Sequence, residues 1–234
     1  MKIKRVISRY ISYGLMGFLL CFTLIQCESR EDTYREFIDD GETIYVGKAD
    51  SIEVRAGKER LEISWLLLSD PKVSSYRLLW NNGNDSIVNS VVKTENVDTV
   101  RVMLTGMPEY VYNFDIFLLD DFGNSSVRAS AIGRTYGEFY QSTLFNRLFT
   151  ASKRISNGLE VTWSSPSDEF VSLKLEYLDN EGQIINKIID RTVEKDTLLN
   201  IPVMGSFKYV SAFLPEPNAL DTFYVEPTTV ELTN

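Results

Sequence analysis

A pentapeptide that returns far downstream constrains this chain more than any other feature. Leu61-Glu62-Ile63-Ser64-Trp65 recurs as Leu159-Glu160-Val161-Thr162-Trp163, an offset of 98. Tyr76-Arg77-Leu78-Leu79-Trp80 aligns with Leu173-Lys174-Leu175-Glu176-Tyr177 at 97, and Asp98-Thr99 with Asp196-Thr197 at 98. Three ordered matches at a nearly constant offset read as two copies of one unit, each about 100 residues long. Within each copy the apolar residues alternate: Leu61, Ile63, Trp65; Leu159, Val161, Trp163; and later Tyr112, Phe114, Ile116, Leu118. Period two gives a strand one buried and one wet face. The clusters Asn81-Asn82-Gly83-Asn84-Asp85, Asp120-Asp121-Phe122-Gly123-Asn124 and Asp179-Asn180-Glu181-Gly182 separate the strands. Asn, Asp and Gly tolerate the positive φ that tight hairpins need. No sustained helical period follows residue 26, so the chain is expected to be all-β.

Composition narrows the chemistry. The 234 residues carry 33 acidic and 24 basic side chains, a net charge of −9, and no histidine. Without histidine there is no Ser-His-Asp or Cys-His unit, no His-ligated zinc and no imidazole acid-base chemistry. Cys21 and Cys27 are the only cysteines, too few for a Cys₄ metal site or a disulfide framework. The acidic balance argues against a nucleic-acid partner, which calls for clustered Lys and Arg.

The N-terminus is built differently from the rest. Lys2, Lys4, Arg5 and Arg9 are its only charges before residue 28, and Tyr10 to Gln26 is uncharged and mostly apolar. A basic start and a short apolar run form an export-signal pattern. Leu24-Ile25-Gln26-Cys27 resembles a bacterial lipobox, with Gln26 where Gly, Ala or Ser is usual. The resemblance implies diacylglycerol on the Cys27 thiol and removal of residues 1–26. Glu28-Ser29-Arg30-Glu31-Asp32 resembles the acidic export tag of Bacteroidetes surface lipoproteins, implying a lipid-anchored protein on the outer membrane, exposed at the cell surface. The processed chain would hold 20 basic against 33 acidic side chains, a net charge of −13. Lipid chains hold a protein on a membrane without spanning it, so lipid would be its link to the membrane.

The order of features in each copy resembles the fibronectin type III plan. A strand ending in tryptophan (Trp65, Trp163) precedes one with a leading aromatic or aliphatic residue (Tyr76, Leu173). Tyr112 follows Met107-Pro108-Glu109 and resembles a tyrosine corner; in the second copy Phe207 or Tyr209 would fill that role. The expected organisation is a signal peptide over 1–26 and a lipidated linker over 27–43. Immunoglobulin- or fibronectin type III-like sandwiches follow at 44–135 and 151–234, joined by an aromatic connector at 136–150. From about Ile44 to Phe149 the chain also resembles an uncharacterised fibronectin-like domain family of Bacteroidetes surface lipoproteins. The residues that carry this are Val46-Gly47-Lys48-Ala49-Asp50, Trp65 to Pro71, and Tyr76 to Gly83. Asp121 to Val127, Tyr136 to Tyr140 and Ser142 to Arg147 complete them. The resemblance implies no biochemical activity, only an association with cell-surface systems that capture and take up glycans.

The connector is the segment richest in rings. Tyr136, Phe139, Tyr140 and Phe145 are candidate ligand-binding residues, because sugar rings present C–H faces that stack on aromatic rings. The alternative is a wedge that fixes the angle between the sandwiches, with Asn146 and Arg147 bonding across the junction. The acidic residues offer no distinguishable carboxylate pair, so no catalytic residue is assigned. Asp120 to Asn124 lacks the spacing of a calcium loop and reads as a hairpin turn, so neither metal nor cofactor is expected. These features point to a non-catalytic lipoprotein that binds glycan or docks on an outer-membrane transporter, or else to a spacer or adhesin-like stalk.

Overall fold

A computed structural model describes residues 46–233 apart from 69, 95 and 96. The signal segment, the Cys27 lipidation site and the acidic run after it lie outside the described residues. Tyr45–Asn234 forms one compact unit.

Seven strands build the first sandwich: β1 (Asp50–Ala56), β2 (Arg60–Leu67), β3 (Val73–Trp80), β4 (Asp85–Ser90), β5 (Asp98–Thr105), β6 (Val111–Asp120) and β7 (Ala129–Arg134). They pair antiparallel as β1-β2-β5 in one sheet and β4-β3-β6-β7 in the other. That order is the fibronectin type III plan. The alternating residues set the core: Leu61, Ile63 and Trp65 from β2 meet Leu78, Phe114, Ile116 and Leu118 from β3 and β6. Trp65 stands edge-on to Tyr76 with ring centroids 5.0 Å apart. The turn clusters take the expected conformation, with positive φ at Asn81, Asn82, Gly83, Gly123 and Gly182.

A one-turn helix, α1 (Glu138–Ser142), leads into the second sandwich. Its strands are β8 (Phe149–Ile155), β9 (Gly158–Trp163), β10 (Phe170–Leu178), β11 (Ile184–Asp190), β12 (Lys195–Leu199), β13 (Ser206–Phe213), β14 (Phe223–Tyr224) and β15 (Thr228–Glu231). The smaller sheet is β12-β9-β8. The larger is β11-β10-β13, with β14 and β15 both pairing β13 as two pieces of one interrupted edge. Trp163 packs against Phe149, Phe207 and Tyr209, so Phe149 belongs to this core. The tandem all-β architecture is thus as expected. No helix among the described residues is long and apolar enough to cross a membrane.

Register corrects two details of the repeat. Leu61 pairs with Leu104 and Leu159 with Leu198, so the offset has fallen to 94 by the fifth strand of each copy. Asp98 lies opposite Leu67 but Asp196 opposite Val161, so their likeness is not structural equivalence. Tyr112 does form the corner, its phenol donating to the Pro108 carbonyl at 2.9 Å. Leu78 pairs with Ile116 and Leu175 with Tyr209, however, which places Gly205 at the position of Tyr112. Neither Phe207 nor Tyr209 fills the corner. They occupy the core positions of Phe114 and Ile116.

Candidate functional site

The four candidate rings do not share a face. Tyr136 and Tyr140 are buried with Ala56 and Phe223 in a small core between the sandwiches. Tyr140 lies 4.8 Å from Tyr136 and 5.0 Å from Phe223, centroid to centroid and edge-on in both cases. Edge-to-face packing suits the ring quadrupoles. Phe139 and Phe145 face away from this cluster, 74% and 80% exposed.

Polar bonds surround the buried rings, and most come from the segment just before β14. Asp221 takes both ends of the Arg60 guanidinium, 2.9 Å from Nε to Oδ2 and 2.6 Å from Nη2 to Oδ1, and also accepts the Lys58 N–H at 2.8 Å. The Leu220 N–H donates to the Ala56 carbonyl at 2.6 Å, and Arg55 Nε to the Asn218 carbonyl at 3.1 Å. The Tyr136 phenol donates to Glu216 at 3.0 Å and the Tyr140 phenol to Glu169 at 3.1 Å. Gly57 belongs to the same turn as Lys58; a Cβ there would sit 2.6 Å from the Asp221 carboxylate. The hydrogen bond from Arg60 holds the Asp221 carboxyl below the usual range. Burial, then the bond to Glu216, pushes the Tyr136 phenol up to about 12. Burial and Glu169 raise Tyr140 in the same way.

Beside this joint lies an open cleft of about 630 Å³, lined by Lys58, Glu138, Gln141, Phe145, Tyr224 and Glu226 among others. Its polar floor is held in place. Gln141 accepts from Lys58 Nζ at 2.9 Å and donates to the Tyr224 carbonyl at 2.8 Å. Asn146 accepts the Ser211 N–H at 2.7 Å and donates to the Glu226 carbonyl at 2.7 Å and Thr228 Oγ1 at 2.8 Å. It fills the break between β14 and β15. Arg147 is buried, bonded to the carbonyls of Ser164 (2.7 Å) and Val193 (2.9 Å), with its guanidinium over the Phe170 ring. Asn146 and Arg147 therefore tie the connector into the second sandwich and do not bond across the junction.

Sequence reasoning found the connector rings but missed Arg60, Glu216, Asp221 and Phe223. These meet only because a loop some 160 positions downstream folds back, and no local pattern carries that signal. At Asp120, Oδ1 accepts the N–H groups of Phe122 (2.9 Å) and Asn124 (2.8 Å), and Oδ2 the Asn124 amide (2.7 Å). The carboxylate is engaged by its own turn.

No curated protein matches this chain. Among solved structures, the FN1–FN3 domains of chicken CNTN1 share 12% identity over 82% of this chain and 66% of that one, with a TM-score of 0.44. A two-domain fibronectin type III segment of chicken tenascin shares 16% identity over 80% of this chain and 100% of that one, TM-score 0.33. At these values neither carries weight, and the fold rests on strand order and the paired cores. A single family model matches residues 27–223, the first sandwich and the second up to the start of β14, well beyond the 44–149 segment that the sequence picked out. The chain belongs to that family, DUF4998, a domain of unknown function.

Proposed function

We propose that this protein is a non-catalytic Bacteroidetes-type surface lipoprotein, held on the outer membrane by lipid on Cys27, that binds saccharide in the cleft beside its joint. One observation carries the binding half: the exposed Phe145 ring borders a cleft whose polar groups are already held in position. A sugar ring needs a flat apolar surface for its C–H face and fixed donors and acceptors for its hydroxyls. Phe145 supplies the first. The Lys58 ammonium, held by Gln141, supplies a fixed donor, and the Glu138 and Glu226 carboxylates line the same cleft as acceptors. Groups held before the ligand arrives lose less entropy on binding.

A second reading is favoured by the other two rings. Tyr136 and Tyr140 are spent on fixing the joint, as a spacer or a platform for an outer-membrane transporter would require. A glycan array probed with a 28–234 fragment separates the readings. Binding that falls at least about tenfold in Phe145→Ala and persists in Phe139→Ala supports the cleft. Silence on every glycan would leave the spacer. The anchor is tested apart from this, by metabolic palmitate labelling of wild type against Cys27→Ala. Equal labelling of the two would refute it.

A further inference from the structure

The larger sheet of the second sandwich ends on an edge less protected than its counterpart in the first. β11 pairs with β10 in unbroken register, from Ile184 opposite Leu178 to Asp190 opposite Ser172. Its other side pairs with no strand among the described residues. Four of its seven residues are isoleucine. Sheet edges are ordinarily guarded by shortness, polar residues, bulges or a charge that points inward. The equivalent strand of the first sandwich, β4, is shorter and carries Asp85, Ser86, Asn89 and Ser90. The inward charge on β11 is Lys187, and it is already paired. Its ammonium lies 2.6 Å from Asp196 Oδ2 and donates to Oδ1 at 2.7 Å and to the Thr197 carbonyl at 2.9 Å. An inward charge guards an edge because a new strand would bury it bare; here covering it strands no charge. On the outer face Ile184 and Ile188 are 62% and 70% exposed, and the exposed Leu178 stands beside Ile184.

We propose that β11 pairs with β11 of a second copy of this chain, antiparallel about a two-fold axis through Asn186, joining the two larger sheets into one. Directly opposed residues of an antiparallel ladder lie on the same face, so the axis must pass through a residue. Through Asn186, each Ile184 meets the second copy's Ile188, the two Asn186 amides face each other, and each Lys187 lies opposite Ile185. An axis through Lys187 would oppose two ammonium groups and set Ile184 against Asp190. An axis through Ile185 would cut the ladder to three residues of β11, and one through Ile188 would set each Asn186 against the second copy's Asp190. The Asn186 register places two apolar pairs on the outer face, against one for the Ile188 register, and opposes no like charges. It is isologous, as a closed dimer requires.

Cysteine cross-linking reads both the contact and its register. The full chain carrying Cys21→Ser and Cys27→Ser receives one new cysteine, by Asn186→Cys or by Ser86→Cys on β4. Directly opposed residues sit about 4.5–5.5 Å apart between Cα atoms, within reach of a disulfide. Under mild oxidation at micromolar concentration, the Asn186→Cys chain is expected to form linked dimers and the Ser86→Cys chain to stay monomeric. Adding Ile188→Lys, which disrupts two symmetry-related apolar pairs, is expected to cut the linked fraction roughly tenfold. Absence of linkage at residue 186 overturns the proposal, including the case in which β11 takes a strand from a different protein. Equal linkage at 86 and 186 also overturns it, as does linkage indifferent to Ile188→Lys.

Discussion

Gly158 opens β9 so close to β12 that an added Cβ would run into the Leu198 carbonyl. Backbone offers no soft atom to give way, so Gly158→Ala is expected to cost about 1–3 kcal/mol in denaturant unfolding. A cost within error of zero would mean that the two strands part easily. At the corner of the first sandwich, Tyr112→Phe removes one bond to the Pro108 carbonyl, and a loss of about 1 kcal/mol is expected. The two core tryptophans were legible in the sequence, because alternation alone says which side of a strand faces inward. The missing second corner was not. Its identification needed the strand register, since the repeat offset slips between the early and late strands and puts Gly205 where a reader expects an aromatic residue.

The connector divides its rings by direction. α1 is one turn long, and its buried residue is Tyr140, while Phe139 beside it faces outward. Ring content therefore announced that something happens between residues 136 and 150, but not which rings do it. Alkali tests the buried pair. The folded-state pKa of Tyr136 is raised to about 12, above the ordinary tyrosine value of about 10. Its contribution is complete below the unfolded pKa and is lost as pH rises through the folded one. The joint is thus expected to loosen between about pH 10 and 12, as a phenolate forms against the Glu216 carboxylate. Tyrosinate absorbance followed alongside tertiary circular dichroism should show the late-titrating fraction ionising together with the loss of signal. Late ionisation with the signal intact would mean that the phenols do not hold the joint.

Asp221 gives the same argument for the whole molecule with the opposite sign. Its folded pKa is depressed by the Arg60 bond, so its stabilisation is present above the unfolded value near 4 and fades as pH falls through the folded one. Asp221→Asn is expected to increase the motion between the sandwiches at neutral pH and to flatten the acid limb of the stability curve. Small-angle scattering and acid titration of wild type and variant measure the two effects. Unchanged scattering would assign the joint's stiffness to its rings alone. The order in which the clamp becomes available has a consequence for synthesis. The turn around Arg60 and the segment around Asp221 are separated by most of the described chain, so their contact waits on a long loop to close. On a chain that emerges N-terminus first, the leading sandwich can complete its own core while Tyr136 and Tyr140 still lack their cover. The joint is then sealed last, when residues 216–224 arrive. Truncation ahead of Glu216 would leave a first sandwich with its own core intact and a bare aromatic patch at its end.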